Sequence, residues 1–153
     1  MARAGRAVAG GMTTPLVKPL YTARATATGG RSGHAVTDDG QVDVHLKPPK
    51  EMGGPGGATN PEQLFAAGYA ACFQSALAAV GRRQGVDTAD SLVEADVTIG
   101  TIGNGQYGLA VTLKVSIPGV PADTVAALTE AAHQVCPYSN ATRGNIEVKL
   151  ESS

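Results

Sequence analysis

Between Asn60 and Gly85 the chain carries one helix whose apolar and small residues occupy nearly every face from Leu64 to Val80. An asparagine followed by proline is a helix start, with a capping side chain and then a residue that has no amide donor to satisfy. Gln63, three residues after Asn60, completes a capping box. Arg82, Arg83 and Gly85 close the segment, the cations suiting the C-terminal dipole and the glycine the left-handed stop. A helix apolar all round belongs in a core. The stretch includes Gly68, Gln74 and Ser75 and reads as a core helix rather than a membrane span. It needs more cover than one sheet of a small domain gives.

The rest of the chain supplies that cover in strands. Residues 20–28 read as a strand ended by the glycine turn 29–33, and Val42, Val44 and Leu46 alternate with polar residues. The loop 48–59 is too rich in proline and glycine for a regular element. Alternation returns at 93–99 and 107–117, with Asn104-Gly105 as a hairpin signal. Pro121 opens a second, amphipathic helix with Val125, Leu128, Ala132 and Val135 on one stripe, and Cys136-Pro137 stops it. Ile146, Val148 and Leu150 form a closing strand. Strands joined by hairpins predict an α+β domain with an antiparallel sheet, a long buried central helix and a second amphipathic one.

At 153 residues the chain is one domain's length. A flexible leader is expected over 1–15, with a second start at Met12, and a single domain over 16–153. The leader has no apolar run long enough for a secretory signal, so a cytoplasmic, soluble protein is expected. Net charge is −1, from 12 basic and 13 acidic residues, which argues against a nucleic-acid surface. His34, His45 and His133 stand singly and the cysteines form no CxxC pair, so no metal site is expected.

The chemistry rests on few residues. Cys72 lies midway along the buried helix, where a cysteine also serves as a small hydrophobe. Cys136 sits at a helix end before proline. Sequence spacing alone leaves open whether the two meet. Glu62 lies in a helical first turn, which suits the dipole without further function. Arg31 lies in the turn TGGRSG, where a solvated arginine needs no special role. Lys50 and Glu51 have no distinctive context.

The stretches LYTARATATGGRSG, GGPGGATNPEQLFAAGYAACF and CPYSNATRGNIEV resemble the organic hydroperoxide resistance proteins of the OsmC/Ohr family, over about residues 20–151. The resemblance implies a thiol peroxidase reducing organic hydroperoxides, fatty-acid ones included, to alcohols. It implies Cys72 as the peroxidatic and Cys136 as the resolving cysteine, with Arg31 and Glu62 completing the site. It also implies an intertwined homodimer, re-reduction by a lipoylated protein or dihydrolipoamide, and no cofactor. Where the family commonly has an acidic residue after the arginine, this chain has Ser32. Leu64, Phe65 and Phe73 are candidate walls for an alkyl tail, or plain core. The competing reading is a non-catalytic redox switch that binds an apolar ligand.

Two physical expectations accompany the resemblance. A thiol in apolar surroundings has its pKa raised, so an active Cys72 needs a nearby cation. Glu62 and Cys72 are ten positions apart, about 15 Å along one helix. Either the chain bends between them or Glu62 serves the Cys72 of another copy.

Overall fold

The computed structural model describes residues 13–153, so most of the expected leader, Met12 included, lies outside the described residues. Two three-stranded sheets and three helices build the fold. The first holds β1 (Ala25–Thr28), β2 (His34–Thr37) and β3 (Asp43–His45), all antiparallel. The second holds β4 (Leu92–Gly103), β5 (Gln106–Ser116) and β6 (Val148–Ser152). The helices are α1 (Pro61–Gln84), α2 (Ala122–Val135) and α3 (Pro137–Thr142).

The helix α1 starts and stops where its capping residues dictate. The Gln63 amide donates to Asn60 Oδ1 at 2.9 Å, and the Asn60 amide to Gln63 Oε1 at 3.2 Å. Gly85 turns left-handed at φ 71°, and the Val86 amide returns to the Gly81 carbonyl. The 24 residues of α1 are long and apolar enough to cross a membrane by length and composition. Here one face of the helix packs on β4 and α2 instead.

That face carries Tyr69, Phe73, Ala76, Leu77 and Val80 into the core. Val93, Ala95 and Val97 of β4 and Val111, Leu113 and Val115 of β5 meet it, paired Val97 with Val111 and Ala95 with Leu113. Each valine, leucine or phenylalanine among them contributes roughly 1.5–3 kcal/mol when fully buried, and each alanine less. Glu94, Asp96 and Lys114 alternate onto the opposite, wet face, where Lys114 reaches Asp96 at 2.9 Å. Asn104 at φ 53° and Gly105 at φ 72° make the expected two-residue hairpin turn.

Three expectations need correction. Burial of α1 all round is not reached within one chain: Leu64, Ala67, Ala71, Gln74 and Ser75 stay exposed along its outer stripe, because the second sheet and α2 cover only one side. The second sheet is not wholly antiparallel, since β6 lies parallel to β5 with Val111 beside Val148 and Leu113 beside Leu150. The α2–α3 connection crosses over the sheet and so reverses the strand direction that a hairpin would impose. Finally, the strand expected at 20–28 begins only at Ala25, and the segment before it leaves Leu16 81% and Tyr21 83% exposed. No residue of β1, β2 or β3 is buried.

Candidate functional site

Cys136 caps the C-terminus of α2 and the N-terminus of α3 at once, in an extended conformation. Pro137 cannot continue α2 but fits the first turn of α3, so the chain changes helix at the cysteine itself. The turn lays Cys136, fully buried, against the middle of α1. Its Sγ lies 3.6 Å from the Sγ of Cys72, across 64 positions of sequence. Both are free thiols. Burial pushes the Cys72 thiol up, the Tyr138 backbone N–H pulls the other way, and neighbouring Cys136 adds to the rise.

Arg31 and Glu62 form the second pair. The turn Gly30–Ser32 between β1 and β2 carries Arg31; a Cβ on Gly33 would fall 1.7 Å from the Thr28 carbonyl oxygen, so only glycine closes it. Arg31 Nη1 donates to Glu62 Oε2 at 2.8 Å and Nη2 to Oε1 at 2.6 Å, a forked geometry that lysine cannot copy. Hydrogen bonding to Arg31 holds the Glu62 carboxyl below the usual carboxylate range, and the same contact raises Arg31.

The four residues thus assemble as two pairs, not as one cluster. Glu62 lies in the first turn of α1 and Cys72 about 15 Å further along it. The helix runs unbroken between them, which removes the expectation that the chain bends to unite them.

Of the three expected apolar walls, Phe65 lines a cavity beside Pro137 and Tyr138, the two residues that follow Cys136, and Leu64 and Phe73 do not. That cavity, of about 520 Å³, is bounded also by Leu109, Pro137, Tyr138 and Ile146. Phe73 is wholly inside the core, and Leu64 is 37% exposed on the outer stripe of α1.

Residues that the sequence reading passed over complete the surroundings. The Tyr138 backbone N–H favours the Cys72 thiolate, and the Tyr138 ring lies 6.2 Å from Phe65 and 5.6 Å from Tyr69. The only sequence signal was position, two residues after Cys136. Tyr69, His133, Ser139 and Thr142 hydrogen-bond to one another in the interior beside it. Of these, Tyr69 reads in sequence as one more core aromatic.

Fold and sulfur pair together define an α+β protein with two thiols facing one another across a helix junction. The chain belongs to the OsmC/Ohr family: its residues 54–151 match the family described as OsmC-like protein. It is similar to the organic hydroperoxide resistance protein of Xanthomonas axonopodis pv. citri, 52% identical over 135 residues, or 87% of this chain and 94% of the relative. The organic hydroperoxide resistance protein OhrB of Bacillus subtilis is 47% identical over 135 residues, 86% of this chain and 97% of that one. A crystal structure of an organic hydroperoxide resistance protein from Elizabethkingia anophelis superposes with a TM-score of 0.85 at 54% identity, covering 90% of this chain and 99% of that one. One from Vibrio cholerae, with captopril bound in one of its active sites, gives 0.84 at 46% identity over 89% and 94%.

Proposed function

We propose that this chain is a cysteine-based peroxidase that reduces organic hydroperoxides, those of fatty acids included, to alcohols. The observation that carries the reading is the 3.6 Å contact of Cys72 and Cys136, in a family whose relatives bear names of organic hydroperoxide resistance. The Cys72 thiolate attacks the terminal peroxide oxygen. The O–O bond breaks, the alkoxide takes a proton and leaves as the alcohol, and Cys72 becomes a sulfenic acid. Cys136 condenses with it, forming a disulfide and releasing water. A lipoyl-type dithiol, as dihydrolipoamide or a lipoylated protein, then returns both thiols.

Burial alone disfavours the Cys72 thiolate, so a cation has to come from elsewhere. In this reading it is Arg31 of a second copy, fixed by its Glu62, in an intertwined homodimer. The unpartnered surfaces support the assembly: the outer stripe of α1, the first sheet, and Leu16, Val17, Leu20 and Tyr21 all expose apolar area that one chain does not cover. The cavity at Phe65 and Tyr138 favours alkyl peroxides, because each methylene buried there gains about 0.8 kcal/mol that hydrogen peroxide lacks. Four to six such groups supply roughly two to three and a half orders of magnitude. In this reading the protein acts in the cytoplasm.

Stoichiometry tests the reading. Purified protein with dihydrolipoamide and an excess of an organic hydroperoxide is expected to consume many equivalents and release the alcohol. Consumption that stops at one equivalent per chain while dithiol remains would favour a redox switch instead.

A further inference from the structure

A line of buried polar groups flanks the junction that carries Cys136. His133 Nδ1 lies 2.8 Å from Ser139 Oγ, Ser139 Oγ lies 2.8 Å from the Tyr69 hydroxyl, and that hydroxyl lies 2.9 Å from Thr142 Oγ1. Thr142 Oγ1 donates in turn to the Ser139 carbonyl at 3.3 Å. Tyr69 and Ser139 are fully buried, and His133 and Thr142 nearly so. Three helices share the line, with Tyr69 on α1, His133 three residues before Cys136 on α2, and the other two after it on α3.

Each hydroxyl has one proton, which fixes the direction of every bond. Thr142 uses its proton on the Ser139 carbonyl, so the Tyr69 hydroxyl must donate to Thr142. Ser139 then donates to Tyr69, and the remaining contact requires a proton on His133 Nδ1. This ordering satisfies all four contacts. Burial, together with the charge of Arg143, holds His133 below its ordinary range against the opposing pull of Glu130. The ring is therefore neutral near pH 7 with its proton on Nδ1. Arg143 also donates to the His133 carbonyl at 3.1 Å, tying the last turn of α2 to the end of α3.

We infer that His133, Ser139, Tyr69 and Thr142 position Cys136 against Cys72 and so set the rate of disulfide closure, without setting the rate at which Cys72 is first oxidised. The inference rests on the peroxidase reading. In the closing step the Cys136 sulfur attacks the Cys72 sulfenic sulfur. The S–O bond breaks, hydroxide leaves with the Cys136 proton as water, Cys136 is oxidised and the sulfenic sulfur reduced. A second hydroperoxide competes by converting the sulfenic acid to a sulfinic acid and another alcohol. A junction free to swing takes Cys136 out of its 3.6 Å contact and gives that competitor time. Groups that are hydrogen-bonded on both flanks of Cys136 oppose that swing.

The test separates the two steps in rapid mixing with cumene hydroperoxide. Tyr69→Phe removes one oxygen and keeps the ring, and Ser139→Ala removes the central hydroxyl. In both, closure is expected to slow at least about tenfold, the scale of a lost buried hydrogen bond, with sulfinic Cys72 accumulating. Sulfenic acid formation is expected to stay within about threefold of the parent. His133→Asn, whose amide nitrogen stands where Nδ1 stood, is expected to retain closure, whereas His133→Leu loses it. Closure unchanged in Tyr69→Phe and Ser139→Ala while Cys72 oxidises normally would overturn the inference. Failure of the unsubstituted protein to form a sulfenic acid would instead overturn the peroxidase reading.

Discussion

A Cβ built on Gly68 falls 2.7 Å from the Tyr138 hydroxyl and 3.2 Å from its ring carbons, so the ring lies directly on the helix backbone one turn before Cys72. Gly68→Ala gains roughly 1 kcal/mol of helix propensity and displaces a ring that is partly exposed and able to yield. Stability is expected to change by less than about 1 kcal/mol, while alkylation of Cys72 quickens several-fold as its cover lifts. Thermal melts and iodoacetamide kinetics check the two effects separately. A slower Cys72 would contradict the covering role of Tyr138.

The cysteines are expected to fail differently. Cys72→Ser abolishes turnover of an organic hydroperoxide, and Cys136→Ser permits one oxidation per chain before the protein stalls or overoxidises. Mass spectrometry after one equivalent of peroxide distinguishes them, showing sulfenic or sulfinic Cys72 only in the second.

Arg31 and Glu62 give a pH prediction with a definite sign. The folded state holds the Glu62 carboxyl low, so its contribution to stability is present above the unfolded carboxyl range and is lost as pH falls through the lowered value. Glu62→Gln is expected to flatten the acid limb of the stability curve. In the peroxidase reading Arg31→Ala also moves the alkylation profile of Cys72 to more alkaline pH and slows its oxidation at neutral pH by about tenfold. Arg31→Lys recovers only part of that, lacking the fork. Superimposable alkylation profiles in the three proteins would return Arg31 to a structural role.

Phe65 and Phe73 are both helical aromatics four or fewer turns from the site, yet they predict opposite outcomes. Phe73→Ala, in the closed core, is expected to cost about 3–5 kcal/mol in denaturant melts. Phe65→Ala, at the cavity, is expected to cost less stability and to narrow the preference for long-chain over short-chain hydroperoxides. Steady-state comparison of cumene and tert-butyl hydroperoxide with a fatty-acid hydroperoxide reads the second effect.

Assembly predicts a concentration dependence. The protein is expected to behave as a dimer at micromolar concentration in light scattering, with a melting temperature that rises with concentration. A stable, active monomer would remove the shared-site reading.

Local chemistry made much of this fold legible. The caps at Asn60 and Gly85, the alternation in β4 and β5 and the Asn104-Gly105 turn each express a short-range rule, and each element lies where its residues place it. The parallel direction of β6 is a property of the crossover and leaves no local mark. For the same reason α3 stayed hidden, since Pro137 ends one helix as well as it begins the next. At the candidate site, the residue types of Cys72, Cys136, Arg31 and Glu62 were readable, but their pairing depends on packing. Phe73 and Leu64 share an apolar helix with Phe65, and only the placement of the sheet and α3 decides which of the three meets the cavity.

The crossover that carries Cys136 has a consequence in time. Cys72 is synthesised well before Cys136, and α2 settles between α1 and β6, the final strand of the chain. Contacts of such long sequence separation cost loop-closure entropy, and this one cannot form until both cysteines have been made. A chain still emerging during synthesis therefore holds Cys72 without Cys136 beside it, and in the peroxidase reading an oxidant met at that stage finds a cysteine with no resolving partner. In the peroxidase reading, competence to recover from oxidation arrives only once Cys136 and β6 are in place, so the newborn protein is more fragile than the folded one.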